Sequence, residues 1–341
     1  MATLRSDVIV PEIFTAYVDE AVTTRSAFLN SGAIQPLDIL NATEGGDYVT
    51  VPSWTANLLG DAEVLSDSSS MTPGKISAEQ QLCPVLHRGR AWEVRTLAQL
   101  ASGDDPMGAI GRKVADYISH QQQKDIFAIL KGVFGPLTSN TTGALKALAV
   151  DSNTTAVPLN PGKVAEARAA LGDQGEKLSV ISMHSKVFYD LVERKAIDYV
   201  TNDEARGGGT VSTGPAPAFG GSVAGAYSND LSIPFYMGMR VIVSDDVNNN
   251  GTEYASYLFT PGAIGTGSQM GLMTETDRDI LSLSDAMSVH WHNLYHMMGT
   301  TYKTAAGANP TRTILETATS WEQVYETKNL GVVSIISNPN F

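Results

Sequence analysis

Cysteine is almost absent: Cys83 is the only one in 341 residues. A single thiol excludes an intrachain disulfide. With no CxxC pair and no Cys/His spacing, it also leaves no structural zinc motif. Its expected role is that of a small buried hydrophobe. Charge is sparse as well, at 17% of residues, below the usual quarter. The basic side is the shorter one: 23 Lys and Arg stand against 36 Asp and Glu, for a formal net charge of −13. That balance excludes nucleic-acid binding through a general basic face. No apolar run approaches the roughly 20 residues needed to cross a bilayer, and the N-terminus shows no basic-then-apolar targeting pattern. The expectation is a soluble, intracellularly made protein with no membrane partner. Apolar residues are plentiful at 43%, enough for one large core or two ordinary ones.

Motifs for chemistry are equally scarce. No GxxxxGK[ST] loop exists, and Gly262-Ala-Ile-Gly265-Thr-Gly267 has Met270 where a dinucleotide loop needs its third glycine. Ser185 stands on a strand-to-helix turn between His184 and Lys186, without the glycines of a hydrolase elbow. His290 and His292 are two apart, and His296 continues their face of a strand; a metal would need a third ligand at a known spacing, and none is nearby. Glu275, Asp277 and Asp279 surround Arg278. They read as a solvated turn or as an ion-paired contact between subunits rather than an acid/base pair. Asp245-Asp246 reads as the start of a turn. No catalytic, cofactor or metal constellation emerges, so an enzyme is not expected. The competing readings kept open are a metal-dependent hydrolase using His290 and His292 with the 275–279 carboxylates, and a tail-type structural protein forming rings or tubes.

What is present is extended architecture. Residues 104–135 read as one helix, with Asp105 as cap, Pro106 in the first turn and Gly135-Pro136 as stop. Its apolar positions recur at helical spacing at both ends, but Ser119 to Asp125 is polar and is expected to face solvent or another subunit. Residues 45–97 read as a long hairpin with a polar tip, its strands at Tyr48–Pro52 and Val85–Val94. A two-stranded ribbon needs a surface to rest on. Residues 1–44 lack the density for a core and read as an arm. Helices are expected from Asn160-Pro161 to Ala170 and from a Ser185 cap onward. Strands are expected at Leu178–Met183, Pro234–Val243, Tyr254–Phe259, Ala286–Met298 and Gly331–Ile336, with a Gly-rich loop over 201–230 and a turn at Asp279–Leu283.

The order arm, hairpin, long helix, α/β region and terminal strands resembles the major capsid protein of tailed bacteriophages, with its HK97-like fold. Three stretches carry the resemblance locally: Asp7 to Tyr17, Ser182 to Leu191, and Gly265 to Leu281. It implies an α+β chain with an N-terminal arm (1–44), an E-loop hairpin (45–97), a P-domain holding the spine helix (98–158), an axial A-domain (159–270), and a return to the P-domain with the C-terminal strands (271–341). It implies hexamers and pentamers that close an icosahedral shell around double-stranded DNA, in a virion assembled in the host cytoplasm. The implied partners are further copies of the chain, a separate scaffolding protein, a portal and a decoration protein. No internally fused scaffold domain is expected. The residues expected at subunit contacts are Lys75, Arg88, Arg90, Trp92, Lys124, Glu275, Asp277, Arg278 and Asp279, with Lys75 read as a solvated hairpin lysine rather than a crosslinking one.

Overall fold

A computed structural model describes residues 28, 31–41, 45–54, 62–63, 71, 76–96, 106–137, 143–150, 157–200 and 233–339. In chain order the strands and helices are β1 (Ile34–Pro36), β2 (Tyr48–Trp54), β3 (Ala78–Pro84), β4 (Leu86–Arg95), α1 (Pro106–Phe134), β5 (Ala149–Val150), α2 (Pro161–Ala170), β6 (Val180–Met183), α3 (Ser185–Glu193) and β7 (Asp198–Val200). They continue with β8 (Ile233–Tyr236), β9 (Met239–Val243), β10 (Tyr254–Phe259), β11 (Ile264–Asp279), β12 (Ser284–Met297), β13 (Thr300–Tyr302), α4 (Arg312–Leu315), β14 (Trp321–Gln323) and β15 (Val332–Ser337).

The long helix exists as its spacing requires. α1 runs for 29 residues, roughly 43 Å at the α-helical rise. Gly135 ends it in the left-handed region at φ 85°, its N–H donating to the Lys131 carbonyl at 2.8 Å, as a helix-terminal glycine does. The Asp105 cap lies outside the described residues. The helix serves two separate cores. Near its start, Val114, Ala115 and Ile118 pack on Met287, Val289 and Trp291 of β12. Near its end, Ile126, Phe127, Leu130, Val133 and Phe134 join the main core, where Phe134 meets Tyr257 of β10 at 5.6 Å between rings.

Two sheets sit against these two faces. One holds four strands in the order β1-β11-β12-β4, the other seven in the order β5-β15-β10-β6-β9-β8-β7. The seven-stranded sheet draws β5 and β15 from either side of its central stretch in sequence. Its middle strands β10 and β15 are buried at every position, which a sheet covered on both faces demands. Phe28, Ala33 and Ile34 are buried in this main core and β1 adds to the edge of β11, so the described part of the expected arm docks on its own chain. The stretch Asp7 to Tyr17, the Gly-rich loop at 201–230 and most of the hairpin tip lie outside the described residues.

Several expectations need correction. The 45–97 ribbon is two things: β2 pairs with β3, Tyr48 opposite Pro84 and Trp54 opposite Ala78, whereas β4 leaves to pair with β12. Pro84 has no N–H to carry the first ladder further. The stretch Pro234–Val243 is a tight hairpin of β8 and β9, turned by Met237 and Gly238 at φ 51° and 80°; paired positive φ values are what a two-residue turn needs. The cap of α3 is His184 rather than Ser185: His184 Nδ1 accepts from the Lys186 N–H at 3.1 Å. The Gly-rich run after Pro261 is the first half of a 16-residue strand.

Candidate assembly surfaces

The four-stranded sheet projects as a long ladder. β11 and β12 pair from Ile264–Met297 at the root to Asp279–Ser284 at the tip. At that tip Ile280, Leu281 and Leu283 are 79%, 97% and 58% exposed. The turn that bears them is built, not loose. Asp279 accepts from the Leu281 N–H and the Ser282 hydroxyl, both at 2.8 Å. The Ser282 hydroxyl, then the Leu281 N–H, hold the Asp279 carboxyl below the usual carboxylate range. Leu283 takes φ 49°, and its carbonyl accepts from both the N–H and the hydroxyl of Thr96, just beyond β4. Three apolar side chains are thus held out on a fixed turn, a candidate contact surface.

The four expected contact residues of this ladder line its outer half. Glu275, Asp277, Arg278 and Asp279 are all exposed. Paired residues share a face of a sheet, so the register puts Glu275, Asp277 and Asp279 on one face, opposite Ser288, Ala286 and Ser284. Arg278 points to the other face and lies 3.7 Å from Asp285. The structure thus brings these four together with the apolar tip. The tip itself was not singled out from the sequence, although Ile280-Leu281 within a charged turn is a readable signal.

The remaining expected residues are dispersed. Lys75 lies outside the described residues. Arg90 is exposed on β4. Trp92 is half-buried and meets Tyr117 of α1 edge-on, ring centres 5.4 Å apart. Arg88 is committed within the subunit: it lies 3.4 Å from Asp125 and donates to the carbonyl of Pro310 at 2.8 Å. Lys124 lines a cleft of about 260 Å³ with Lys131, Asp245, Asp246, Arg312 and Glu316. The expectation that Ser119 to Asp125 faces away from the fold is corrected: Ser119 and Asp125 are buried, Gln123 donates to Ser244 and Asp246, each at 2.9 Å, and Asp125 accepts from Arg312 Nε at 2.7 Å. The polar stretch is where the helix changes from one core to the other, and its Ser119, Gln121, Gln123 and Asp125 are partnered by their own chain.

The histidines of β12 do not converge on a common point. His292 stacks on His87, ring centres 4.0 Å apart and nearly parallel, His290 lies opposite Gly89, and His296 is buried against Gln81. Among the described residues no three His, Cys, Asp or Glu side chains are grouped as metal donors. Cys83 is fully buried, and burial pushes its thiol well above the usual range, as expected for an inert core cysteine.

A family model described as Major capsid protein 13-like matches residues 11–333. The chain belongs to the Gp13-like major capsid protein family. The major capsid protein of Bacillus phage SPP1 is 33% identical over 341 residues, covering 96% of each chain. Solved structures resemble it in fold. The cyanophage Pam1 capsid protein aligns with TM-score 0.56 at 15% identity, over 93% of each chain. That of Ralstonia phage GP4 aligns with TM-score 0.56 at 11% identity, over 92% of this chain and 89% of the other. The fold is the HK97-like capsid fold, of α+β class. This is a structural subunit of a phage capsid, its place is the virion shell, and its family is not an enzyme family. The hydrolase and tail-tube readings give way to it.

Proposed function

We propose that this subunit assembles, in the host cytoplasm, into hexamers and pentamers that close an icosahedral shell around double-stranded DNA. The roles follow the division given above, as corrected: the β2–β3 hairpin reaches over a neighbour while β4 stays in the body, α1 is the spine of the peripheral domain, 159–270 forms the axial domain, and the N-terminal arm crosses to adjacent subunits beyond the part that docks on its own chain. Two projections of the fold support this. β2 carries an exposed Trp54 at its last residue, 67% accessible, and the β11–β12 ladder ends in the apolar tip. Neither is covered by its own chain among the described residues, and a head-to-tail contact between such surfaces closes a ring of identical subunits.

The tip carries the reading. Ile280, Leu281 and Leu283 bury against a neighbouring copy, with Glu275, Asp277, Arg278 and Asp279 forming the polar rim, and Arg90, Trp92, Lys124 and Lys75 taking part elsewhere on the surface. The presence of both charge signs on one tip lets like copies pair. The packaged DNA is enclosed without sequence-specific binding, in keeping with the acidic balance of the chain. A separate scaffolding protein, a portal and a decoration protein complete the assembly, and the subunit's role is structural, with no cofactor. The test is Leu281→Asp: unchanged folding with failure to form shells is expected, and wild-type shells from the variant would overturn the role given to the tip.

A further inference from the structure

The β2–β3 hairpin is held to the body by Val51 and Cys83, buried beside Leu40 and Leu294, by the Leu82 N–H donating to Thr301 Oγ1 at 2.9 Å, and by two polar ties that run through histidines of β12. At its entrance, the Gly46 carbonyl accepts from Gln269 Nε2 at 3.0 Å, and the same amide bonds His292 Nδ1 through its oxygen at 3.3 Å. At its exit, Gln81 Oε1 accepts from His296 Nε2 at 2.8 Å and from the Gly299 N–H at 2.9 Å. The entrance is built to bend: Gly45 and Gly46 have φ 85° and 112°, a region open chiefly to glycine. The supporting ladder is irregular at the same level, where β11 slips its register between Ser268 and Met273 opposite the His290–Asn293 stretch.

Both rings are placed where an added proton is costly. His292 lies flat on His87, which is directly opposite it in the β4–β12 register, and His87 Nε2 is buried without a partner among the described residues. His296 is buried, and among the described residues its Nδ1 has no partner either. Because His296 Nε2 donates to Gln81, Nδ1 holds the lone pair, and a proton there would be a charged donor without an acceptor. Among the described residues the surroundings supply no counter-charge. Toward the His87–His292 stack, β4 and β12 present His87 and His290, β11 presents Gln269 and Met270, and the loop before α4 presents Asn309, which accepts from the His87 N–H. The acids at the margin are Asp47, exposed at the hairpin entrance, and Glu275, beyond His290 in the β11 row. Arg88 turns to Asp125 on the opposite face. Around His296 stand Gln81, Gly299 and the buried Tyr295 and Thr300.

We propose that the hairpin root is a proton-operated latch: neutral His292 and His296 hold its two strands to β12, and protonation of these rings releases the hairpin from the body. Burial lowers both imidazoles, His296 to about 4, and for His292 the neighbouring His87 and His290 act in the same direction. Groups lowered in the fold stabilise it above the ordinary imidazole value of about 6.5 and lose that contribution as pH falls.

Peptide-resolved hydrogen exchange on full-length subunits tests this, corrected for intrinsic rates and compared with β10 as internal reference. Between pH 7.5 and 4.5, protection of residues 45–54 and 78–84 should fall at least tenfold relative to 254–259. His292→Phe should diminish this fall, while the distant His120→Gln leaves it unchanged. A hairpin that follows β10 across the whole range overturns the latch, as does an undiminished response in His292→Phe. Should the variant not fold, the wild-type profile alone decides.

Discussion

Asp125 shows how one residue holds two structural units together. It is 1% exposed and is shared by Arg88 of β4 and Arg312 of α4. Removing the carboxylate strands two guanidinium groups at the junction between the cores. Asp125→Ala is therefore expected to cost about 3 kcal/mol, measured by denaturant unfolding; a loss under about 1 kcal/mol would show that the arginines find water or other acceptors. His184 offers a second case. Burial first, and Lys186 after it, lower its imidazole against the opposing pull of Asp245. The neutral ring is the one that caps α3, so its contribution is present above pH 6.5 and fades as pH falls below that. His184→Asn, a cap that does not titrate, should flatten the stability profile between pH 7.5 and 5, and parallel profiles for variant and wild type would remove the cap from the account.

At the scale of elements, glycine decides where the arm can lie. A Cβ on Gly267 would stand 2.5 Å from Leu40 Cβ and from its carbonyl oxygen, so β11 is glycine-rich because residues 37–40 cross it closely. Gly267→Val should unseat that crossing and destabilise the subunit by about 2 kcal/mol, visible as a lowered melting temperature and raised exchange at Leu37–Leu40; unaltered exchange there would contradict it. This run of glycines is also why β11 is illegible in the sequence, where it imitates a loop. The helix was legible because its period, its first-turn proline and its terminal glycine agree. β10, β12 and β15 were legible for their branched and aromatic runs. The partners of β2 and β4 were not, since both strands read alike and only Pro84 marks the exchange between sheets. The polar middle of α1 was misread because polarity on a helix signals water or a polar partner equally, and only the folded chain brings Arg88 and Arg312 to it. For the assembly surfaces, the charged cluster at 275–279 was visible in the sequence, whereas the adjoining apolar tip became meaningful only once Asp279 and Thr96 were seen to hold it outward.

Taken whole, the molecule is a rod flanked by two sheets, with its apolar projections at the extremities instead of its centre. That distribution suits a subunit completed by its neighbours. Lys124→Glu, on the cleft between α1 and the turn after β9, is expected to lower assembly yield with little change in subunit melting; equal damage to both would reassign Lys124 to the fold. The most direct measurement of the central claim is cryo-electron microscopy of the expressed wild-type chain with a scaffolding protein. Closed icosahedral shells of hexamers and pentamers are expected, with density from a neighbouring copy packed over Ile280, Leu281 and Leu283. Shells in which that tip stands free in solvent, or open tubes in place of shells, would contradict it.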